Sequence, residues 1–299
     1  MASATYGGQA VIEGVMIRGA RVMAVAVRRA DGSIASTSRP LGGLSTGALR
    51  RVPLLRGVLV LWETLALGMR ALSWSAAVAA DEVDAHGEAR PLGAAAWLGI
   101  ALSMLFGIGL FFLLPVLSTA WLDAHLPGPA VVLIEGLIRL ALLIGYIWAI
   151  GRSQEIQRVF QYHGAEHMTI HAYEQDRELT VQAIRRFAKE HPRCGTSFLL
   201  TVGVVAVFVF ALLGDPPLWW RLSSRVVLVP LIAAVAYEAI RFAGFHQQQA
   251  LVRALFAPNL WLQWLTTRVP DDEQIQVAIA SLQRAMAEDR RVEGERAAS

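Results

Sequence analysis

Cysteine occurs once in this chain, at Cys194, so an intrachain disulfide is excluded. Lysine is equally scarce: Lys189 stands alone against 26 arginines, and no basic run carries interleaved aromatics. The arginine excess is read as genomic bias, and nucleic-acid binding is not expected. Charge as a whole is low. Only 17% of residues are Asp, Glu, Lys or Arg, less than a soluble domain of this length carries. The first eight residues lack a basic flank ahead of an apolar core, so no cleavable signal peptide is expected.

Apolar residues fill the space that charge leaves. They make up 55% of the 299 residues, with a mean hydropathy of +0.45, and they are concentrated in stretches. Four stretches read as transmembrane helices: 94–121, 130–150, 198–213 and 222–242. Pro115 predicts a kink in the first. Thr196 and Ser197 are the expected N-caps of the third. Glu135 and Arg139 stand four residues apart in the second and can pair with each other, while Glu238 and Arg241 close the fourth. The stretch 57–80 is interrupted by Glu63 and Arg70. It reads as an interfacial or re-entrant helix more readily than as a span, because a charge at the bilayer centre costs a few kcal/mol.

Ahead of these, residues 6–40 read as β structure, with Ala30-Asp31-Gly32 as a turn between two runs. Near the other end, Pro270-Asp271-Asp272-Glu273 marks a helix start before Ile275, Val277, Ile279 and Leu282. The expected fold is therefore a mainly α membrane protein. It is a polytopic helical bundle with four transmembrane helices, one further interfacial or spanning apolar helix, and a small N-terminal cytoplasmic β segment. The expected divisions are 1–56 for the β segment, 57–93 for the apolar helix and loop, and 94–242 for the membrane domain with an insertion at 151–197. An amphipathic segment at 243–287 and a disordered tail at 288–299 complete the chain.

Arginine sets the orientation. Ten precede residue 94, seven Lys and Arg lie in 151–197 and seven more follow residue 240, while 122–129 holds none. The positive-inside rule then puts both termini and the 151–197 insertion in the cytoplasm of a multi-pass inner-membrane protein.

Four of the seven histidines fall within that insertion, and three of them, His163, His167 and His171, recur at a spacing of four with Glu166 and Glu174 beside them. At about 100° per residue all five share one sector of a helix. Imidazole and carboxylate hold first-row divalent metals, zinc above all. The axial rise separates His163 from His171 by ~12 Å, so one ion cannot take all three from a straight helix. An adjacent pair needs ligands from elsewhere, or there are two ions. The best source is His191-Pro192-Arg193-Cys194, where His191 and Cys194 could complete the shell. A helix N-terminus would lower the Cys194 pKa, and Arg193 with nearby backbone N–H groups could hold an anion. His163-Gly164-Ala165-Glu166-His167 also fits H-x-x-E-H, in which two histidines bind zinc and the glutamate acts as general base.

The same residues could form a solvated helix face, or a polar network joining helices. Asp81, Glu82, Asp84, His86 and Glu88 could bind metal or line a solvated loop. Glu135 and Arg139 could face a transport path or pack helices together.

Five stretches make the chain resemble a known family. They are residues 7–19, 160–174 and 191–198, Tyr237-Glu238, and the segment from Leu260 through Ile279. Together they resemble the bacterial membrane proteins called domain of unknown function 1385, often labelled metal-dependent enzymes. Met168 stands where that family is expected to carry Lys, and Gln276 where it carries Glu. The resemblance implies the membrane architecture and singles out these motifs, without naming a substrate. The resulting expectation is a metal-dependent membrane enzyme, hydrolytic, with the lipid bilayer as its environment. His163, His167, His171, Glu174, His191 and Cys194 are the candidate ligands. Glu166, Cys194 and Arg193 are the candidate catalytic groups. The alternative is a non-enzymatic assembly or translocation factor that binds other membrane proteins.

Overall fold

Met23, Val25 and Val27 alternate with Ala24 and Ala26, the pattern of a strand buried on both faces. They form the middle of a four-stranded sheet in the computed structural model, which describes residues 6–42, 52–83, 93–192, 194–214, 217–246 and 248–298. Strands β1 (Gly7–Val11), β2 (Gly14–Arg18), β3 (Val22–Arg28) and β4 (Ile34–Pro40) pair antiparallel in chain order. The expected turn between β3 and β4 is present. Gly32 takes a positive φ there, and Asp31 accepts the Ser33 backbone N–H at 2.9 Å.

One face of the sheet, with Val11, Met16, Met23, Val25 and Val27, is covered by α1 (Leu55–Ala79) through Leu67, Ala71, Trp74 and Val78. The charge that interrupts this helix is explained by its partner. Glu63 is buried and accepts from Arg18 of β2 at 2.8 Å. Among the described residues α1 is not one of the helices long and apolar enough to cross a bilayer.

The next helices are the apolar ones. Helix α2 (Ala94–Ile108) runs through a π turn at Gly109–Leu113 into α3 (Leu114–Thr119), and α4 (Gly128–Ile150) follows. The π turn lies just ahead of Pro115, the residue expected to kink this stretch. Proline has no N–H to return to the Phe111 carbonyl, and Arg139 Nε donates to that carbonyl instead, at 2.9 Å. The stretches Ala94–Leu122 and Gly128–Ile150 are long and apolar enough to cross a membrane.

Two helices come next, α5 (Gln154–Glu174) and the short α6 (Val181–Ile184). The apolar helix α7 (Gly195–Ala211) is shorter than a full span. Helices α8 (Leu218–Val227) and α9 (Val229–Phe245) meet at a 48° bend and would make a third span only if taken together. The first turns of α1 lie against α9. A Cβ on Gly57 would stand 2.8 Å from Ala234 Cα, and Arg56 Nε donates to Glu238 at 2.6 Å. Helix α1 is thus a strut between the sheet and the apolar bundle.

The segment expected to be one amphipathic unit is two helices, α10 (Ala250–Thr266) and α11 (Asp272–Ala298). Helix α10 lies along α7, with Asn259 Nδ2 bonded to Thr201 Oγ1 at 3.1 Å. Helix α11 begins with a reciprocal cap. Asp271 accepts from the Gln274 backbone at 2.8 Å, and Gln274 accepts from the Asp271 backbone at 3.0 Å. Its buried face, with Ile275, Ala278, Leu282 and Ala285, joins α5 in covering the second face of the sheet, on Val15, Ile17, Ala24 and Ala26.

Residues 288–298, expected to be disordered, continue this helix. Asp289 explains it. Its carboxylate accepts the backbone N–H groups of Ala20 (2.9 Å), Arg21 (2.8 Å) and Val22 (3.0 Å) at the β2–β3 turn. The pairs Arg284–Glu288 and Arg291–Glu295, each four residues apart, add helical support. Of the acidic group at 81–88, Asp84, His86 and Glu88 lie outside the described residues.

Candidate metal centre

The site is built on the middle of α5, where the turns facing inward carry the histidines. Helix α5 approaches the end of α10 closely enough that a Cβ on Gly164 would stand 2.1 Å from the Arg268 carbonyl oxygen. Only glycine permits that approach. The Arg268 backbone N–H returns a bond to Phe160 O at 2.9 Å. The β1–β2 hairpin is pinned to the same helix by Glu13, which accepts from Arg158 Nε at 2.6 Å and from the Tyr162 hydroxyl at 3.3 Å. The Arg158 guanidinium holds the Glu13 carboxyl below its ordinary pKa.

Two sets of ligand-type groups line this face. His163, His167 and Cys194 form one, and His171, Glu174 and His191 form the other. Within each set the ligand atoms lie within 4.8 Å of one another. His163 Nε2 is 3.2 Å from Cys194 Sγ, and His191 Nε2 is 3.4 Å from Glu174 Oε2. The His163 and His167 ring centroids are 4.4 Å apart, those of His171 and His191 4.5 Å, and those of His167 and His191 5.6 Å. The division follows the axial spacing: the turn at 189–194 supplies one residue to each set.

Each helix histidine has one ring nitrogen directed at a backbone carbonyl. His163 Nδ1 meets Thr266 O at 2.8 Å, His167 Nδ1 meets Lys189 O at 2.6 Å, and His171 Nε2 meets Glu190 O at 2.8 Å. A carbonyl only accepts, so that nitrogen carries the proton, and in a neutral ring the opposite one carries a lone pair. His191 is positioned through its backbone. Gln263 accepts its N–H at 2.8 Å and donates to its carbonyl at 2.9 Å, while also reaching Ser197 Oγ at 3.2 Å.

Burial sets the electrostatics. It pushes His167 well below its ordinary pKa, with the neighbouring His163 adding to the shift, and pushes His191 down to about 4. Both are neutral imidazoles near pH 7. Burial pushes the Cys194 thiol up to about 11, against the lowering expected from a helix N-terminus. Desolvation outweighs the Thr196 bonds, although Cys194 is itself the N-cap of α7 and accepts the Thr196 N–H at 3.4 Å. Thr196 and Ser197, expected as caps, therefore lie inside the helix.

Glu166 is buried. Burial raises its carboxyl to about 7, partly offset by His163 and by the Gly8 backbone N–H, which donates at 3.0 Å from the edge strand β1. Its second oxygen lies 3.8 Å from His167 Nε2. A cavity of about 40 Å³ touches Glu166, His167, His191 and Cys194, with Tyr6, Gly7 and Gly8 on its other side. Arg193, the expected anion-holding residue, lies outside the described residues.

The donor sets fit a divalent metal. Tetrahedral zinc with bonds of ~2.0–2.3 Å needs ligand atoms roughly 3.3–3.8 Å apart, close to the 3.2 and 3.4 Å separations present here. The rings are fixed from behind by carbonyls, as metal-bound imidazoles are. Gly8, Gln263, Thr266 and Lys189 take part in the site without having been expected to. Three of these four act through backbone atoms, which leave no signature in a sequence.

Comparison with known proteins gives a family. Residues 52–288 match the family described as "Protein of unknown function (DUF1385)". The chain is 37% identical over 287 residues to "Uncharacterized protein YqhQ" of Bacillus subtilis (strain 168), covering 92% of this chain and 90% of that protein. No solved structure matches.

Proposed function

The chain belongs to the DUF1385 family, and on the geometry of its histidine face we propose that it is a metal-dependent integral membrane enzyme, hydrolytic in type. The observation that carries this reading is the set of ring–carbonyl bonds. They hold the rings of His163, His167 and His171 in place beside Cys194, Glu174 and His191, where the ligand-type atoms gather in two sets of three. His163, His167 and Cys194 would hold one divalent ion, and His171, Glu174 and His191 a second. Bound zinc would polarise an oxygen of the substrate and lower the pKa of water. Glu166 is the general base. A carboxyl held near 7 exchanges a proton at neutral pH, and the Gly8 N–H fixes its orientation. The site faces the cytoplasm of an inner-membrane protein with four spans and both termini inside. Support for that topology comes from the arginine distribution and from the apolar stretches, of which two are long enough to span, or three if α8 and α9 act as one.

One observation favours a second reading, in which the metal is structural and the protein assembles or escorts other membrane proteins. The cavity beside Glu166 is about 40 Å³, room for water but not for a substrate group. Glu135 and Arg139, by contrast, are bonded to each other at 2.6 Å, which removes the observation a transport path would need.

Metal analysis of protein purified without chelator, wild type beside His167→Ala, tests the site. The wild type should hold stoichiometric metal and the variant should lose the share of the first set. Metal-free wild type sinks the enzyme reading. If metal is bound but Glu166→Gln supports cells as well as wild type does, the structural reading stands instead.

A further inference from the structure

Behind the turn that carries His191 and Cys194 lies a second, larger cavity of about 350 Å³. That is within the size range of small-molecule sites. Its walls are Ile240, Ala243 and Gly244 of α9 with Val252, Phe256 and Leu260 of α10. Its polar lining is limited, and most of it is already engaged. Ser197 Oγ accepts from Gln263 and Asn259 donates to Thr201. The Glu190 carboxylate lies 2.9 Å from Lys189 Nζ. Arg253 is the exception. It is exposed and, among the described residues, makes no ion pair. The rim adjoins exposed Phe245, Leu251 and Leu255, which face lipid if the bundle is embedded as proposed.

An apolar cavity, one unneutralised cation at its edge and a lipid-facing surround define the chemistry of the occupant. We propose that this cavity takes an acyl chain of an anionic glycerophospholipid, with Arg253 holding the headgroup phosphate. The cavity and the histidine face share the 189–194 turn. Glu190 and Pro192 line the cavity, while the Glu190 carbonyl accepts from His171. A bound lipid therefore stands directly behind the segment that supplies His191 and Cys194 to the two sets. The proposal rests on the membrane-embedded reading and not on the presence of metal.

Phosphatidylglycerol carrying a diazirine at the end of one acyl chain, in vesicles of otherwise unlabelled phospholipid, is the probe. After irradiation, labelled peptides are mapped on the full chain. Labelling should concentrate within 240–260 and exceed that of the outward residues Trp97, Leu102 and Phe106 of α2. Gly244→Leu fills the cavity, and a Cβ at Gly244 meets nothing within 4 Å, so the helix should tolerate it. In this variant the excess should fall to the α2 level. Arg253→Gln should lose the preference for phosphatidylglycerol over the phosphatidylcholine analogue while keeping the chain in place. Labelling of 240–260 at the α2 level in wild type, or an excess unchanged in Gly244→Leu, overturns the proposal and leaves the membrane reading intact. Absence of label from α2 as well would instead overturn the membrane reading on which it rests.

Discussion

Glu135 and the histidine face are both polar groups withdrawn from water, yet their partners differ in kind. Glu135 is surrounded by opposite charge. Arg225 grips it with two bonds of 2.8 Å, Arg139 donates at 2.6 Å and Arg221 reaches it at 3.5 Å. Arg221 also donates to Thr119, and Arg225 stacks on Phe210 at 3.8 Å. These bonds join α3, α4, α7 and α8. The carboxylate has no lone pair aimed at anything else, which is how a structural network is built. The histidines are the reverse. One ring nitrogen of each helix histidine is tied to a carbonyl, and the rings converge on one another. Burial alone does not distinguish a site from a brace; what distinguishes them is where the remaining lone pairs point.

The largest effect should come from the brace. Glu135→Ala leaves three arginines around an empty position and should destabilise the protein by about 3–5 kcal/mol, without changing metal content. Thermal unfolding in detergent together with metal analysis checks both halves. Loss of metal with unchanged stability would erase the distinction.

Gln263→Leu should act oppositely. It releases the His191 backbone and should weaken metal binding by ~10–100-fold, measured by competition with a chelating dye. An unchanged affinity would mean that His191 is positioned by other contacts.

Glu166→Gln sharpens the comparison through pH. In metal-free protein the Glu166 carboxyl titrates near 7 when folded, above its ordinary 4.5. The folded state keeps a proton that the unfolded state has lost, so stability falls as pH rises from about 4.5 through about 7. The variant lacks this slope and should become the more stable of the two above that window. His191, held down to about 4, gives the opposite slope between 4 and 6.5 in both proteins and cancels in the difference. Melting curves in chelator at pH 5 and pH 8 read it. An equal difference at both values would show that Glu166 is not buried as a neutral acid.

The smallest effect should be at Arg185, whose bond to Asp272 at 2.6 Å lies in solvent. Arg185→Ala should cost less than ~1 kcal/mol. A loss matching that of Glu135→Ala would mean that burial is not what makes the Glu135 network count.

Much of the site could be read from residue spacing. The helical period put His163, His167, His171, Glu166 and Glu174 in one sector, and the rise per residue already required two groups or one adjacent pair. His191 and Cys194 were reachable because the apolar stretches on either side return the chain to one level. The Gly8 contact was not legible, because it joins residues 158 positions apart and a glycine N–H has no composition to betray it. The Cys194 pKa was misjudged because sequence displays the helix terminus but not the burial that outweighs it. The strands and the α11 start were visible from alternation and capping residues. The strut role of α1 was hidden, since Glu63 and Arg70 signal only that lipid is unsuitable, and not that a strand residue will pair with Glu63.

The clasp of Asp289 on the β2–β3 turn has a consequence for the order in which the chain assembles. The turn leaves the ribosome ~270 residues before its carboxylate, on the order of ten seconds to a minute of synthesis. Throughout that interval the sheet lacks α11, and Val15, Ile17, Ala24 and Ala26 have at most the partial cover of α5. The apolar helices, whose contacts lie closer along the chain, can settle first. The strands are thus made long before they are completed, and a ribosome halted before residue 272 would leave their apolar face short of its α11 cover.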